Sequence, residues 1–157
     1  MEFGQKLSQK TGKTYRLLSE AEWEYTCRAG TTTPFYFGET ITPDLVNYNG
    51  NYPYGAAPKG LDRGQATDVG SFPPNAFGLY DMHGQVCEWC SDRWHYDGYS
   101  GAPTDGSSWE TGITNTRVQR GGCWGCTALS CRSAYRSSLM AGTYCTTVGF
   151  RVALVSA

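Results

Sequence analysis

The most reactive residues in this 157-residue chain are its seven cysteines, four of which (Cys123, Cys126, Cys131 and Cys145) crowd into one segment. A thiolate is a soft donor, so Cys126 and Cys131, five apart on a loop, can converge on one soft cation such as Cu(I). Cys87-Glu-Trp-Cys90 and Cys123-Trp-Gly-Cys126 are two CxxC pairs of the kind that build tetrahedral zinc sites, although the gap between them is far longer than a zinc ribbon's. Neither pair opens a helix after a strand, which argues against thioredoxin-type redox chemistry. An odd count leaves at least one thiol outside any intrachain disulfide. Cys27, Cys90 and Cys131 read as small apolar fillers of the core.

The same segment invites a second reading. Outside Trp124, Arg132, Ser133, Ala134 and Arg136, the run 123–148 holds only small residues, Cys, Thr, Leu, Met, Tyr and Val, with no Asn, Asp, Glu or Lys. Exposed loops usually recruit those polar types. No general base is near, since His83 and His95 lie elsewhere in the chain. Small side chains plus tyrosine suit a surface that adapts to a ligand. The candidate contacts are Cys123, Trp124, Gly125, Cys126, Thr127, Leu129, Ser130, Tyr135, Ser137, Ser138, Tyr144 and Thr146.

The elements that must position these residues are short. Phe3 and Leu7 sit at helical spacing, with Gly12 as a left-handed stop. Tyr15–Leu18 reads as an extended link. Ser19 and Glu22 form a capping box that opens a second helix, which runs to about Ala29 and ends at Gly30. Residues 31–68 read mostly as ordered loop, with a short strand at 33–38 and a turn-rich aromatic stretch from Asn47. A short strand is expected around Val86–Arg93, another over Arg117–Trp124, and a final one over Gly149–Val155. The middle of 117–151 reads as loop.

Composition narrows the function classes. The formal charge is −1 with both signs mixed, so nothing marks a nucleic-acid partner or an anionic membrane. No apolar run approaches a membrane span and Met1 opens no signal peptide, so membrane insertion is not expected and a cytoplasmic location is the default. The length fits one domain, 1–157, with no linker or repeat to divide it. Only 17% of residues are charged, while Gly, Tyr and Trp are abundant, which suits a loop-rich domain packed by aromatics.

Five ordered motifs carry a family resemblance: Tyr15-Arg-Leu with Ser19-Glu-Ala-Glu-Trp-Glu-Tyr25, Pro73-Pro-Asn-Ala-Phe-Gly-Leu-Tyr-Asp81, Gly84-x-Val-x-Glu-Trp89, Arg120-Gly-Gly-x-Trp124 and Gly149-Phe-Arg151. Together they resemble the formylglycine-generating enzyme (sulfatase-modifying factor) family. The resemblance implies an α+β, C-type-lectin-like fold with two helices, short twisted antiparallel strands and long ordered loops. By the family's layout, the amino-terminal part is expected to be lacking, which would leave an edge bare or available for self-association. In oxidase members of the family, two thiolates bind Cu(I), which activates oxygen and converts a substrate cysteine to formylglycine. Counted forward from Gly121-Gly122 that pair falls on Cys126 and Cys131; counted backward from Ala134-Tyr135-Arg136 it meets Cys123 and Ala128. Cys87 stands where those enzymes carry Trp. The family also implies a structural Ca²⁺ held by Asp81, the Gly84 and Val86 carbonyls and Glu88.

Fold membership leaves function open. The family resemblance extends to variable proteins of diversity-generating retroelements, in which altered Asn codons scatter Ser, Thr, Gly, Ala, Tyr, Cys and Leu among fixed residues up to a closing Gly-Phe-Arg. The expected role is therefore a ligand-binding display module, with 117–151 as its variable region and a protein or cell-surface molecule as partner. The alternative is a copper-dependent oxidase using Cys126 and Cys131.

Overall fold

The computed structural model describes residues 2–112 and 115–155. Helix α1 (Glu2–Thr11) closes as expected, with the Gly12 amide donating to the Ser8 carbonyl at 2.9 Å and Gly12 at φ +69°. Helix α2 (Glu20–Arg28) opens on the capping box. The Ser19 hydroxyl accepts from the Glu22 amide at 3.1 Å, and the Glu22 carboxylate accepts from the Ser19 amide at 2.9 Å. Each bond satisfies a donor that the first turn leaves without a helical acceptor. Glu20, Trp23 and Cys27 form the buried stripe of this helix, one apolar face at helical spacing with a single acid in it. The left-handed cap is Ala29 at φ 47°, so the helix stops one residue earlier than the Gly30 signal suggests.

Two small sheets complete the framework. Strand β1 (Thr14–Leu17), expected only as a link, pairs antiparallel with β6 (Val152–Val155), Tyr15 opposite Leu154. The second sheet runs in the order β4-β3-β2-β5, built from β2 (Cys87–Arg93), β3 (Thr116–Arg120), β4 (Ser137–Met140) and β5 (Val148–Gly149). The β2–β5 pair is parallel and the other two pairs are antiparallel.

Three expectations change here. The closing strand is broken between β5 and β6, where Arg151 turns aside to Glu88. The middle of 117–151 is not all loop, because β4 pairs with β3 and a 3₁₀ turn spans Ala128–Cys131. Residues 33–38 make a single bridge, Phe35 to Gly38, rather than a strand. The fold is α+β as expected.

The core has two parts. Leu18, Trp23, Cys27, Met82, Cys90 and Val118 pack between α2 and the larger sheet. Phe35, Ile41, Val46, Tyr48, Ala128 and Cys131 pack beneath the long loops. No helix among the described residues is long and apolar enough to cross a membrane.

Candidate functional site

Strand alternation decides which thiols meet. Along β2, Glu88, Cys90 and Asp92 are buried, while Cys87, Trp89 and Ser91 face the other way and are half-buried. Cys87 and Cys90 therefore point to opposite faces, and that CxxC cannot chelate one ion. The other pair can, since the Cys126 amide donates to the Cys123 carbonyl at 2.9 Å in a tight turn that brings the two Sγ atoms to 2.6 Å. Cys87, Cys123 and Cys126 gather their sulfurs within 4.8 Å of one another, and among the described residues no other group of three His, Cys, Asp or Glu ligands does so.

Within this group Cys126 ionises first. Hydrogen bonds from Cys123, then Cys87, hold its thiol down to about 3. The proton-sharing has the opposite effect on its neighbours. Cys123 is pushed up to about 11, chiefly by its bond to Cys126, and Cys87 is raised chiefly by its bond to Cys123. A single negative charge shared among three sulfurs is the expected outcome when like groups crowd together.

Cys131 stands outside the group. It is fully buried, its thiol reaches the Thr127 carbonyl at 3.5 Å, and burial raises it well above an ordinary thiol. Of the Cys126–Cys131 pair, Cys126 belongs to the three-sulfur group, while Cys131 is buried in the neighbouring core cluster against which Cys126 packs. Cys27 and Cys90 are core fillers as expected, the burial of Cys27 lifting it to about 12.

The ends of the segment are held by arginines. Arg120, 1% exposed, donates to the Tyr135 carbonyl at 2.7 Å and the Ser133 carbonyl at 2.9 Å, pairs with Glu24, and lies over the Trp23 ring. Arg136 pairs with Glu20, and Arg151 with Glu88. The Arg120 and Arg136 bonds fix α2 against the chain around β3 and β4, and Arg151 ties the chain after β5 to β2.

The calcium positions are differently engaged. Both Glu88 oxygens are taken, receiving the Trp23 indole at 2.7 Å and two Arg151 nitrogens at 2.5 Å. Asp81 accepts the Gly70 amide at 2.8 Å, leaving its other oxygen buried without a partner. Gly84 donates to the Gly121 carbonyl at 2.7 Å, and Val86 is half-buried. A cation bound by Glu88 would have to compete with a guanidinium already there.

Of the candidate ligand contacts, Gly125, Leu129, Tyr144 and Thr146 are exposed. Trp124, Cys126, Thr127, Ser130, Tyr135, Ser137 and Ser138 are half-buried, the two serines in β4 opposite Gln119 and Val118. Cys123 is buried at 6% exposure and is corrected from a surface contact to an interior one. The segment from Gly142 to Thr146 is exposed at every position, with Tyr144 fully so. Ala141 and Gly142 also border a groove of about 530 Å³ whose walls include Leu17, Trp89, Arg117 and Phe150. Residue spacing did not reveal this groove, because its walls come from α1, β1, β2, β3 and the chain around β5 and β6. The third thiol, Cys87, was visible as half of a CxxC pair with Cys90 and as a departure from the family's Trp, but not as a partner of both Cys123 and Cys126.

Comparison with known proteins agrees with this architecture. The sulfatase-modifying factor enzyme 1-like domain family matches residues 1–155. The serine/threonine-protein kinase pkn1 of Chlamydia pneumoniae is 36% identical over 88% of this chain and 20% of its own length. The formylglycine-generating enzyme of Mus musculus is 35% identical over 88% of this chain and 38% of its own. The chain thus spans well under half the length of either relative. Among solved structures, PvdO from Pseudomonas aeruginosa superposes with a TM-score of 0.84 at 44% identity, covering 98% of this chain and 57% of that one. Treponema denticola variable protein 1 superposes with a TM-score of 0.64 at 27% identity, covering 89% and 47%. On the extent of the domain match and the identities to both curated relatives, the chain belongs to the sulfatase-modifying factor enzyme 1-like, or formylglycine-generating enzyme, family.

Proposed function

We propose that the chain is a ligand-binding module of this family, presenting the 123–148 segment to a protein or cell-surface molecule in the manner of a retroelement-diversified variable protein. The observation that carries this reading is the turn after β4. Five consecutive residues, Gly142-Thr-Tyr-Cys-Thr146, are exposed, uncharged and small except for one fully exposed tyrosine. Tyrosine on a background of small residues offers contact area at low entropic cost. The turn lies beside the groove bordered by Ala141 and Gly142, so a protruding ligand segment has a concavity next to the tyrosine. The likeness to the Treponema denticola variable protein supports the same reading.

The oxidase alternative rests on the likeness to formylglycine-generating enzymes, and the complete burial of Cys131 weighs against it. Genomic context tests the proposal. A near-identical copy of the segment encoding 123–148, differing only where that copy has adenine and lying beside a reverse transcriptase gene, is expected. A source genome lacking both overturns the diversified-display reading.

A further inference from the structure

We propose that Cys87, Cys123 and Cys126 form a zinc site, with three thiolates as ligands and the fourth tetrahedral position left to solvent. This ligand set differs from the Cys126–Cys131 pair and from either pairing of the two CxxC motifs. The site shares Cys123 and Cys126 with the segment proposed for display, but it rests on the sulfur geometry alone and not on that reading.

Two separately anchored stretches of backbone supply the three ligands. Cys87 opens β2 at the point where its amide donates to the Thr147 carbonyl at 2.8 Å and its residue pairs with Val148 of β5. Cys123 and Cys126 occupy the first and last positions of one tight turn. That turn is tied down at two points, by the Trp124 amide to the Gln85 carbonyl at 3.0 Å and by the Asn49 amide to the Cys126 carbonyl at 3.0 Å. The sulfurs are thus brought together by main-chain bonds, and a ligand set held by its scaffold loses little freedom when an ion arrives.

The donor chemistry selects the ion. Three sulfurs with no carboxylate or imidazole among them favour a soft or borderline cation over calcium or magnesium. A divalent ion offsets two of the three thiolate charges and a monovalent one offsets a single charge, so a partly buried trithiolate favours Zn²⁺ over Cu⁺. Cys123 is buried, while Cys126 is half-buried, so the group reaches the surface on the Cys126 side. Cys145 does not complete the site. Its thiol is exposed and bonds the Thr147 hydroxyl at 3.0 Å.

Binding is balanced as an exchange of protons for metal. Zn²⁺ takes the three sulfurs as thiolates, any thiol protons they carry going to solvent, with no change of oxidation state.

The test uses the full chain, reduced and stripped with a chelator, then titrated with Zn²⁺ against a chromophoric competitor and separately with Co²⁺. One equivalent of zinc and the intense visible bands of tetrahedral cobalt-thiolate are expected. Cys87→Ser and Cys123→Ser should each weaken zinc binding by at least about 10- to 100-fold, the range seen when even outer-shell partners of a metal are lost. Cys131→Ser and Cys145→Ser should bind as the parent does. Should Cys87→Ser fail to fold, alkylation mapping of the parent chain decides instead, zinc being expected to protect Cys87, Cys123 and Cys126 together. No zinc uptake by the reduced protein, a Cys123–Cys126 disulfide that forms equally with and without zinc, Cu(I) binding with zinc excluded, or loss of binding in Cys145→Ser overturns the proposal.

Discussion

Arg136 lays its guanidinium across the Glu20 carboxylate, with Nε 2.6 Å from Oε1 and a terminal nitrogen 2.7 Å from Oε2. The pair joins the residue before β4 to the first residue of α2, and the Trp94 and Tyr99 rings flank the guanidinium. Glu20 is 4% exposed, so removing its partner leaves a buried carboxylate with reduced compensation. Arg136→Ala should destabilise the protein by about 2–4 kcal/mol, below or within the range for breaking buried ion pairs because Arg136 itself reaches solvent. Urea unfolding checks this. A midpoint unchanged from the parent would show that Arg120, 3.6 Å from the same carboxylate, is sufficient.

Gly84 occupies φ +68° with no room for a side chain. A Cβ there would lie inside contact distance of the Asn47 carbonyl and 2.6 Å from a Val46 methyl. Gly84→Ala combines left-handed strain with a clash against main chain, and should cost several kcal/mol, roughly 3 or more. Thermal melting is the measurement, and a shift of only a degree or two would contradict the close approach.

His83 is 2% exposed and has both ring nitrogens engaged. Nδ1 donates to the Cys131 carbonyl at 2.7 Å, and Nε2 accepts from the Tyr36 amide at 3.1 Å. Burial, the largest cause, pushes it down to about 4. Because the folded value lies below the ordinary value near 6.5, the unfolded chain takes up the proton first. The stability contributed by neutral His83 is fully present above about pH 6.5, declines as pH falls and is lost by about pH 4, amounting to about 3 kcal/mol. Comparing urea midpoints of the parent and His83→Gln across this range isolates the effect. Parallel pH profiles would be inconsistent with a buried neutral imidazole.

Tyr144 is fully exposed, so its removal should leave the fold alone. Tyr144→Ala is expected to change unfolding free energy by no more than about 0.5 kcal/mol. A larger loss, read from denaturant unfolding, would mean that the tyrosine packs in solution and is not free to meet a ligand.

Local signals were legible in the sequence. The Ser19–Glu22 capping box and the Gly12 stop are decided within a few residues of chain, and both are present. The strand at Cys87–Arg93 showed in its alternation. Strand β4 did not, because Ser-Ser-Leu-Met has no apolar alternation and is held by its register with Thr116–Gln119. The thiol group was legible only in halves: the Cys123–Cys126 turn follows from spacing, whereas Cys87 joins from about 36 residues away through the packing of β2 beside the loop. Cys131, five residues after Cys126, seemed the nearer partner. The 3₁₀ turn at Ala128–Cys131 carries it into the core instead.

Two of the acceptors that Arg120 finds in the 123–148 segment, at residues 133 and 135, are main-chain carbonyls. Every amino acid supplies that oxygen. An anchor of this kind recognises the path of the chain and is indifferent to the side chains it carries, so substitutions between Trp124 and Ser130 or from Gly142 to Thr146 leave those two bonds in place. The buried arginine therefore confers mutational tolerance on the surface above it, because that support does not depend on which side chains the surface carries.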